Sequence, residues 1–189
     1  MGVVTMALAA CGQNATDPRT TAATAANSTV FVSGTLPASA VMSYSAADLG
    51  IAIDHPADWR VEEQLEDGIV AFYSQAVPGD SFIENYNVAV VQLPEGVDLA
   101  AFAELDASRL TVSIEGYAVV GGGETTVDGV PAVTVVFDGV TSDVPLRFFR
   151  LITVRDNKGY EFTFAASRDE FDNFLPVVDQ MLAGLRFTS

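Results

Sequence analysis

The chain has 189 residues, 49% of them hydrophobic, which is enough length and apolar content for one sizeable core. Its net charge of −16, from 25 acidic and 9 basic residues, excludes the basic footprint that nucleic acids and anionic lipid head groups require. With one cysteine and one histidine, an internal disulfide and the usual Cys/His zinc sites are excluded as well.

An apolar run at the N-terminus ends at the only cysteine, Cys11. Leu8-Ala9-Ala10-Cys11 resembles the lipobox of bacterial lipoproteins, in which a signal peptide is cleaved before the cysteine and the cysteine is acylated. We therefore predict that residues 1–10 are the remnant of a signal peptide, and we expect its basic segment upstream, since no lysine or arginine precedes Cys11. The run is shorter than the roughly 20 apolar residues of a transmembrane helix. The alternative is that Cys11 is a free thiol.

Residues 11–43 are predicted to be the lipidated cysteine and a flexible spacer. Small and polar residues fill the stretch up to residue 29, and such a composition buries too little apolar surface to offset chain entropy. Acyl chains on Cys11 would hold the protein at a bacterial cell membrane, on its extracytoplasmic face. The folded domain is expected over residues 44–189.

Alternating apolar side chains predict a series of short β-strands in this domain. Asp128-Gly129 and residues 156–159 are signals for hairpin turns, and Trp59 is expected to face the core. The run over 146–154 is apolar on both faces, which predicts a strand covered on two sides. The strand patterns lie at 49–53, 59–62, 69–73, 86–91, 117–120, 124–127, 131–137, 146–154, 160–164 and 185–187.

Two helices are predicted between these strands. Asp98 is the expected N-cap of a helix over 99–110. Ser167 and Glu170 have the spacing of a capping box for the second helix, which Pro176 should bend or restart and Gly184 should end. Strand runs interrupted by only two helices predict an α+β fold, a mainly antiparallel sheet of about seven strands with helices packed on both faces.

Several local motifs resemble the PsbP-like superfamily. Residues 53–59 are similar to its aliphatic–x–x–Pro–x–x–Trp opening, 84–88 to its Asn–x–Asn–Val strand and 129–132 to its Gly–x–Pro–Ala strand start. The helix and strand over 171–187 also fit, so the resemblance covers residues 44–189. The superfamily is named for an extrinsic photosystem II protein and includes the Ran-binding Mog proteins and the mycobacterial LpqN lipoproteins. The resemblance implies an α/β/α sandwich with a binding or assembly role and no shared enzymatic activity.

Three features of the sequence are candidate sites. His55 precedes Pro56 in a predicted turn, where we expect an exposed structural residue, or else a ligand contact beside Trp59. Gly121–Gly123 is followed by Glu124 and a strand pattern, which favours a bulge or loop over a phosphate-binding loop. Acidic residues crowd one region without EF-hand spacing, which predicts a solvated face, with a weak calcium site as the alternative. They are Asp54, Asp58, Glu62, Glu63, Glu66 and Asp67.

The sequence thus leads us to expect a lipid-anchored extracytoplasmic binding or assembly module without catalytic residues, cofactor or metal. Its partners would be the membrane, through Cys11, and an envelope protein or a small envelope ligand, but no nucleic acid. Two alternatives stay open. One is a calcium-dependent or photosystem-type accessory factor, and the other is an envelope hydrolase that uses a carboxylate site.

Overall fold

The structure, a computed structural model, describes residues 40–64 and 67–188. The predicted signal peptide, Cys11 and nearly all of the predicted spacer lie outside these ranges. The first strand begins at Val41, ahead of the expected domain start at residue 44. Neither of the helices in the described ranges is long and apolar enough to cross a membrane. In chain order the elements are β1 (Val41–Ala46), β2 (Ile51–Pro56), β3 (Arg60–Gln64), β4 (Ile69–Tyr73), β5 (Asn85–Gln92), α1 (Leu99–Ser113), β6 (Glu115–Val127), β7 (Val130–Thr141), β8 (Val144–Arg155), β9 (Lys158–Ser167), α2 (Phe171–Ala183) and β10 (Arg186–Phe187).

The strands form two antiparallel sheets. The large sheet has seven strands in the order β3-β4-β5-β9-β8-β7-β6, and the small sheet has the order β1-β2-β10. β8 lies between β9 and β7, as its two-sided apolar pattern predicted. The α+β class with a mainly antiparallel sheet is therefore confirmed.

Three tight hairpins connect the last four strands of the large sheet. Each turn has two central residues with positive φ, the geometry of type I′ turns, whose twist matches that of the flanking strands. Asp128 (φ 47°) and Gly129 (φ 75°) join β6 to β7, and Asp156 and Asn157 (φ 52° and 58°) join β8 to β9. Both turns were predicted. The turn at Ser142 and Asp143, between β7 and β8, was not.

The two faces of the large sheet are covered by different helices. In β8 the side chains of Phe148, Arg150 and Ile152 lie on the face against which α1 packs, which we call the α1 face. Phe149 and Leu151 lie on the opposite face, where α2 packs, which we call the α2 face. The prediction of helices on both faces is confirmed.

The main core lies on the α2 face. Period-two alternation in β9 places Tyr160, Phe162 and Phe164 there, and the last two are completely buried. Trp59 is buried in the same cluster, as predicted. The cluster also takes in residues of β2 in the small sheet and the inner side of α2. Each fully buried large apolar side chain stabilises the fold by about 2–3 kcal/mol.

The start of α2 differs from its prediction. Ser167 is the last residue of β9, and Glu170, the N-cap residue, makes no side-chain cap hydrogen bond. The Glu170 Oε2 instead accepts a hydrogen bond from the Asn173 Nδ2 at 2.8 Å, so the predicted capping box is wrong. The helix continues through Pro176 without a restart, and Gly184 is its C-cap, as predicted.

The α1 helix covers only part of its face. Asp98 caps it, as predicted, by accepting a hydrogen bond from the Ala101 N–H at 2.9 Å. The helix packs on β6, β7 and β8. Two of its own side chains, Phe102 and Leu110, are buried against the sheet, near Ile152 and Phe148 respectively. The half of the α1 face that is formed by β3, β4 and β5 lies beyond this contact, and a cleft opens there.

Candidate binding cleft

Four charged side chains meet between α1 and the sheet. Asp106 and Arg109 come from α1, Arg150 from β8 and Glu161 from β9. The side chains of Asp106, Glu161 and Arg150 are 2%, 6% and 7% exposed, whereas that of Arg109 is 53% exposed. We call these four residues the charge quartet. Two positive and two negative charges cancel, so the quartet is neutral.

Secondary-structure spacing brings the quartet together. Asp106 is four residues after the buried Phe102 and four before the buried Leu110, so it lies on the inner side of α1. Arg150 pairs with Thr163, and Glu161 pairs with Ile152, in the β8–β9 ladder. Arg150 and Glu161 therefore lie on the same face of adjacent strands, directly beneath the helix.

Every carboxylate oxygen of the quartet accepts a hydrogen bond or contacts a guanidinium. The Arg150 Nε donates to the Asp106 Oδ2 at 2.7 Å, and its Nη2 donates to the Asp106 Oδ1 at 2.6 Å. The same Nη2 lies 2.6 Å from the Glu161 Oε2. The Arg109 Nη2 donates to the Asp106 Oδ1 and to the Glu161 Oε1, both at 2.7 Å. Pairing of this kind offsets the desolvation of buried charges.

The quartet shifts the pKa of one of its own members, Arg109, and of the neighbouring Tyr117. Burial lowers the pKa of Arg109, but hydrogen bonds and charge from Glu161 and Asp106 outweigh it, so the pKa lies above its ordinary value. Burial, assisted by the charge of Asp106, raises the pKa of Tyr117. Both shifts keep these groups in their usual protonation states at neutral pH.

An open cleft of about 400 Å³ adjoins the quartet on the uncovered half of the α1 face. Its floor is made of small or aliphatic side chains, and uncharged polar side chains stand among them. The quartet contributes Arg150 and Glu161 to its wall. The remaining lining residues are Glu62, Gln64, Ile69, Ala71, Tyr73, Asn87, Ala89 and Thr163.

The charges that line the cleft are paired within the protein. Glu62 forms an ion pair with Arg60, whose guanidinium lies 4.7 Å from the centre of the Tyr73 ring. Thr163 accepts a hydrogen bond from the Arg150 Nη1 at 2.5 Å, which leaves the hydroxyl proton to donate to another group. The cleft thus offers apolar contact and uncharged hydrogen-bonding groups beside charges that are already neutralised.

No protein-family model matches this chain, and no curated protein matches it either. Solved structures do match. LpqN of Mycobacterium tuberculosis, described as involved in cell envelope biogenesis, has a TM-score of 0.61 at 14% identity over 79% of this chain and 91% of its own. Cyanobacterial PsbP of Synechocystis has a TM-score of 0.59 at 14% identity, over 84% and 98%. The Ran-binding protein Mog1p of Saccharomyces cerevisiae has a TM-score of 0.57 at 9% identity, over 80% and 97%.

The chain has the PsbP-like fold. The sequence resemblance predicted this fold, and the structural matches confirm it. At identities of 9–14% the likeness concerns the fold alone.

Within this PsbP-like fold, His55 is a core residue, so its predicted exposure in a turn is wrong. It is 5% exposed, its Nδ1 lies 2.8 Å from the Pro56 carbonyl oxygen, and its ring centre lies 5.1 Å from that of Phe72. The reason is that β2 continues through Pro56. The alternation that buries Ile51 and Ile53 therefore buries residue 55 too.

The acidic residues between 54 and 67 are spread over different surfaces. Glu62 and Glu63 are consecutive in β3 and point to opposite faces. Glu63 accepts a hydrogen bond from Tyr44; burial, with this bond and the charge of Glu63, raises the pKa of Tyr44 to about 12. Asp54 accepts a hydrogen bond from Ser43 in the small sheet. Among residues 40–64 and 67–188, no three Asp, Glu, His or Cys side chains are grouped to hold a metal ion, and Glu66 lies outside these ranges.

The three glycines of the sequence motif lie within β6, at a bulge. The register against β7 shifts between Val119 and Gly121, as the prediction of a bulge or loop allowed. Cys11, the predicted lipidation site, lies outside the described residues.

None of the four quartet residues was predicted as a site residue from the sequence. The available signal was a charged residue inside an apolar pattern. Arg150 stands between Phe149 and Leu151 in the run that was predicted to be buried on both faces, and Glu161 follows Tyr160 in the next strand. Charged residues are almost never fully buried unless they are paired, so each of these positions implied a partner. Which partner it was depends on strand order and on the placement of α1.

Proposed function

We propose that this protein is a lipid-anchored extracytoplasmic binding or assembly module without catalytic activity, and that it binds through the cleft on the α1 face. The observation that carries the proposal is the closed charge quartet beside an open cleft. Uncharged hydrogen-bonding groups and an apolar floor line the cleft, and such a surface suits recognition of an envelope protein or a small envelope ligand.

The same geometry argues against an envelope hydrolase. Glycoside hydrolysis needs one carboxyl group that can donate a proton and a second that can act as base or nucleophile. Asp106 and Glu161 are the buried carboxylates beside the cleft, and the oxygens of both are engaged by Arg150 and Arg109. Carboxylates held in this way position the helix on the sheet rather than exchange protons with a substrate.

The structural neighbours support a binding or accessory role. LpqN is described as involved in cell envelope biogenesis, and Mog1p as a Ran-binding protein. The resemblance of Leu8–Cys11 to a lipobox supports an envelope location for this chain. Palmitate labelling tests the anchor: the wild-type chain should take up label and Cys11→Ala should not. Equal labelling of the two would refute the anchor while leaving the cleft proposal untouched.

Genetic complementation tests the cleft. Ala89 is half-buried and lines the cleft, whereas Ala100 is exposed on α1 and does not line it. In a strain that lacks the gene, Ala89→Arg should fail to restore the deletion phenotype at wild-type protein abundance, and Ala100→Arg should restore it. Full complementation by Ala89→Arg would show that the cleft is not the working surface.

A further inference from the structure

The two edges of the large sheet are built very differently. At one edge, β3 has five residues, of which Arg60, Glu62 and Glu63 are charged. At the other edge, β6 has thirteen residues, and its only charged ones are Glu115 and Glu124. Short length and charged side chains are devices that stop a sheet edge from pairing with another chain. β3 has both, whereas β6 is long and has only two charged residues among its thirteen.

The β6 strand is also openly exposed. All its residues from Glu115 to Thr126 are exposed except Tyr117, which is half-buried. Val119 and Val120 are 62% and 53% exposed. β6 contains no lysine, arginine or proline, and within the described residues only β7 pairs with it. An edge of this kind presents free backbone N–H and C=O groups to an incoming strand.

One part of β6 is regular enough to extend the sheet. The register against β7 shifts twice before Gly121, and from Gly121 to Val127 it is continuous. Gly121, Gly122 and Gly123 have no side chains, which lets another backbone approach closely. We call this regular part, together with Val119 and Val120 before it, the β6 edge (Val119–Val127).

The side chains of the β6 edge define the chemistry that would match it. Val119 and Val120 provide apolar contact at one end. Glu124 lies towards the other end, and Asp128 follows in the turn, so that end is acidic. A second copy of this chain would bring the same glutamate and a net charge of −16, and like charges disfavour that pairing. A segment with a basic end matches better.

We propose that the β6 edge accepts an extended segment of a partner protein by strand addition. The segment carries apolar side chains at the end that contacts Val119 and Val120, and a lysine or arginine near Glu124. This surface is separate from the cleft, because β6 and β3–β5 lie at opposite ends of the sheet. It therefore provides a second contact, whose failure would not affect the cleft proposal.

The test titrates the ¹⁵N-labelled full chain with three synthetic peptides. The first has alternating valine and threonine with two lysines at one end. The second has glutamates in place of the lysines, and the third is the lysine peptide N-methylated at alternate residues to block strand pairing. The lysine peptide should shift the β6 amide resonances, the glutamate peptide should bind about tenfold more weakly, and the methylated peptide should not bind.

Charge reversal provides the matched control. Glu124→Lys should reverse the preference between the first two peptides, whereas Glu95→Lys, an equal change at an exposed residue away from β6, should not. The proposal is overturned if no peptide binds at millimolar concentration, if resonances outside β6 shift instead, or if Glu124→Lys behaves like Glu95→Lys. Concentration-dependent protection of the β6 amides without peptide would overturn it in favour of a second copy.

Discussion

Arg150 is the side chain on which the charge balance beneath α1 depends. It donates to both oxygens of Asp106 and contacts Glu161, and it is itself buried. Arg109 reaches the same two carboxylates from the exposed side. Losing one member of such a group leaves a buried charge uncompensated, which costs more than the intact group contributes to stability.

Arg150→Ala should therefore lower the free energy of unfolding by about 3–5 kcal/mol. Arg155→Ala is the control, because Arg155 pairs with Asp156, whose side chain is 81% exposed, and an exposed pair contributes about 1 kcal/mol or less. Urea-unfolding midpoints of the two variants and the wild type give the comparison. Equal midpoints for the two variants would contradict the structural role of the quartet.

The Asp138–Arg147 pair should make the protein sensitive to acid. The Arg147 Nε donates to the Asp138 Oδ1 at 2.8 Å, and this bond holds the pKa of Asp138 below its ordinary value. The resulting stabilisation is complete above the unfolded-state pKa, about 3.9, and is lost as pH falls through the lower folded-state pKa. Asp138→Asn should therefore lower the melting temperature at neutral pH. On acidification, this variant should lose less stability than the wild type. Asp143→Asn, a change in an exposed turn, is the control. If the melting temperature of Asp138→Asn fell with pH in parallel with that of the wild type, the assignment would be contradicted.

At the scale of elements, the bulge in β6 makes the three consecutive glycines, Gly121–Gly123, unequal. A Cβ on Gly122, whose φ is 153°, would overlap the Thr134 carbonyl oxygen of β7. A Cβ on Gly121 or Gly123 would meet no atom within 4 Å. The backbone approach of β6 to β7 thus requires a glycine only at the middle position.

Gly122→Ala should destabilise the protein by about 1–3 kcal/mol through overpacking against β7. Gly121→Ala and Gly123→Ala should change stability by about 0.5 kcal/mol or less. Thermal melts of the three variants test this ranking. If all three lost the same stability, the bulge geometry would be wrong.

Elements that are formed by interactions between neighbouring residues could be predicted from the sequence, and those that depend on contacts between distant segments could not. The hairpins at Asp128-Gly129 and Asp156-Asn157 were predictable because neighbouring residues set the turn geometry. The predicted helix cap at Ser167 is wrong because β9 extends to that residue. The length of β9 is an effect of tertiary structure. The pairing of β5 with β9 joins distant segments, and the cleft depends on it, so no local pattern reveals the cleft.

At the scale of the whole molecule, the two faces of the large sheet are unequally covered. The α2 face is covered by α2 and carries the main core, with residues of the small sheet in the same cluster. On the α1 face, α1 packs on β6, β7 and β8, and the cleft opens over β3–β5. The fold class followed from element order and from the resemblance of residues 53–59, 84–88 and 129–132. The position of the cleft could not be predicted in this way, because it depends on where α1 lies.

Photo-cross-linking in intact cells tests the binding role of the cleft most directly. A photoreactive amino acid replaces Ala89 in the cleft or, as the control, Ala100 on the exposed side of α1. We predict a discrete adduct from position 89 that is absent from position 100 and that disappears when Ala71→Arg fills the neighbouring floor. Adducts of equal yield from both positions would contradict the account. So would the absence of any adduct from position 89 in cells whose growth depends on the protein.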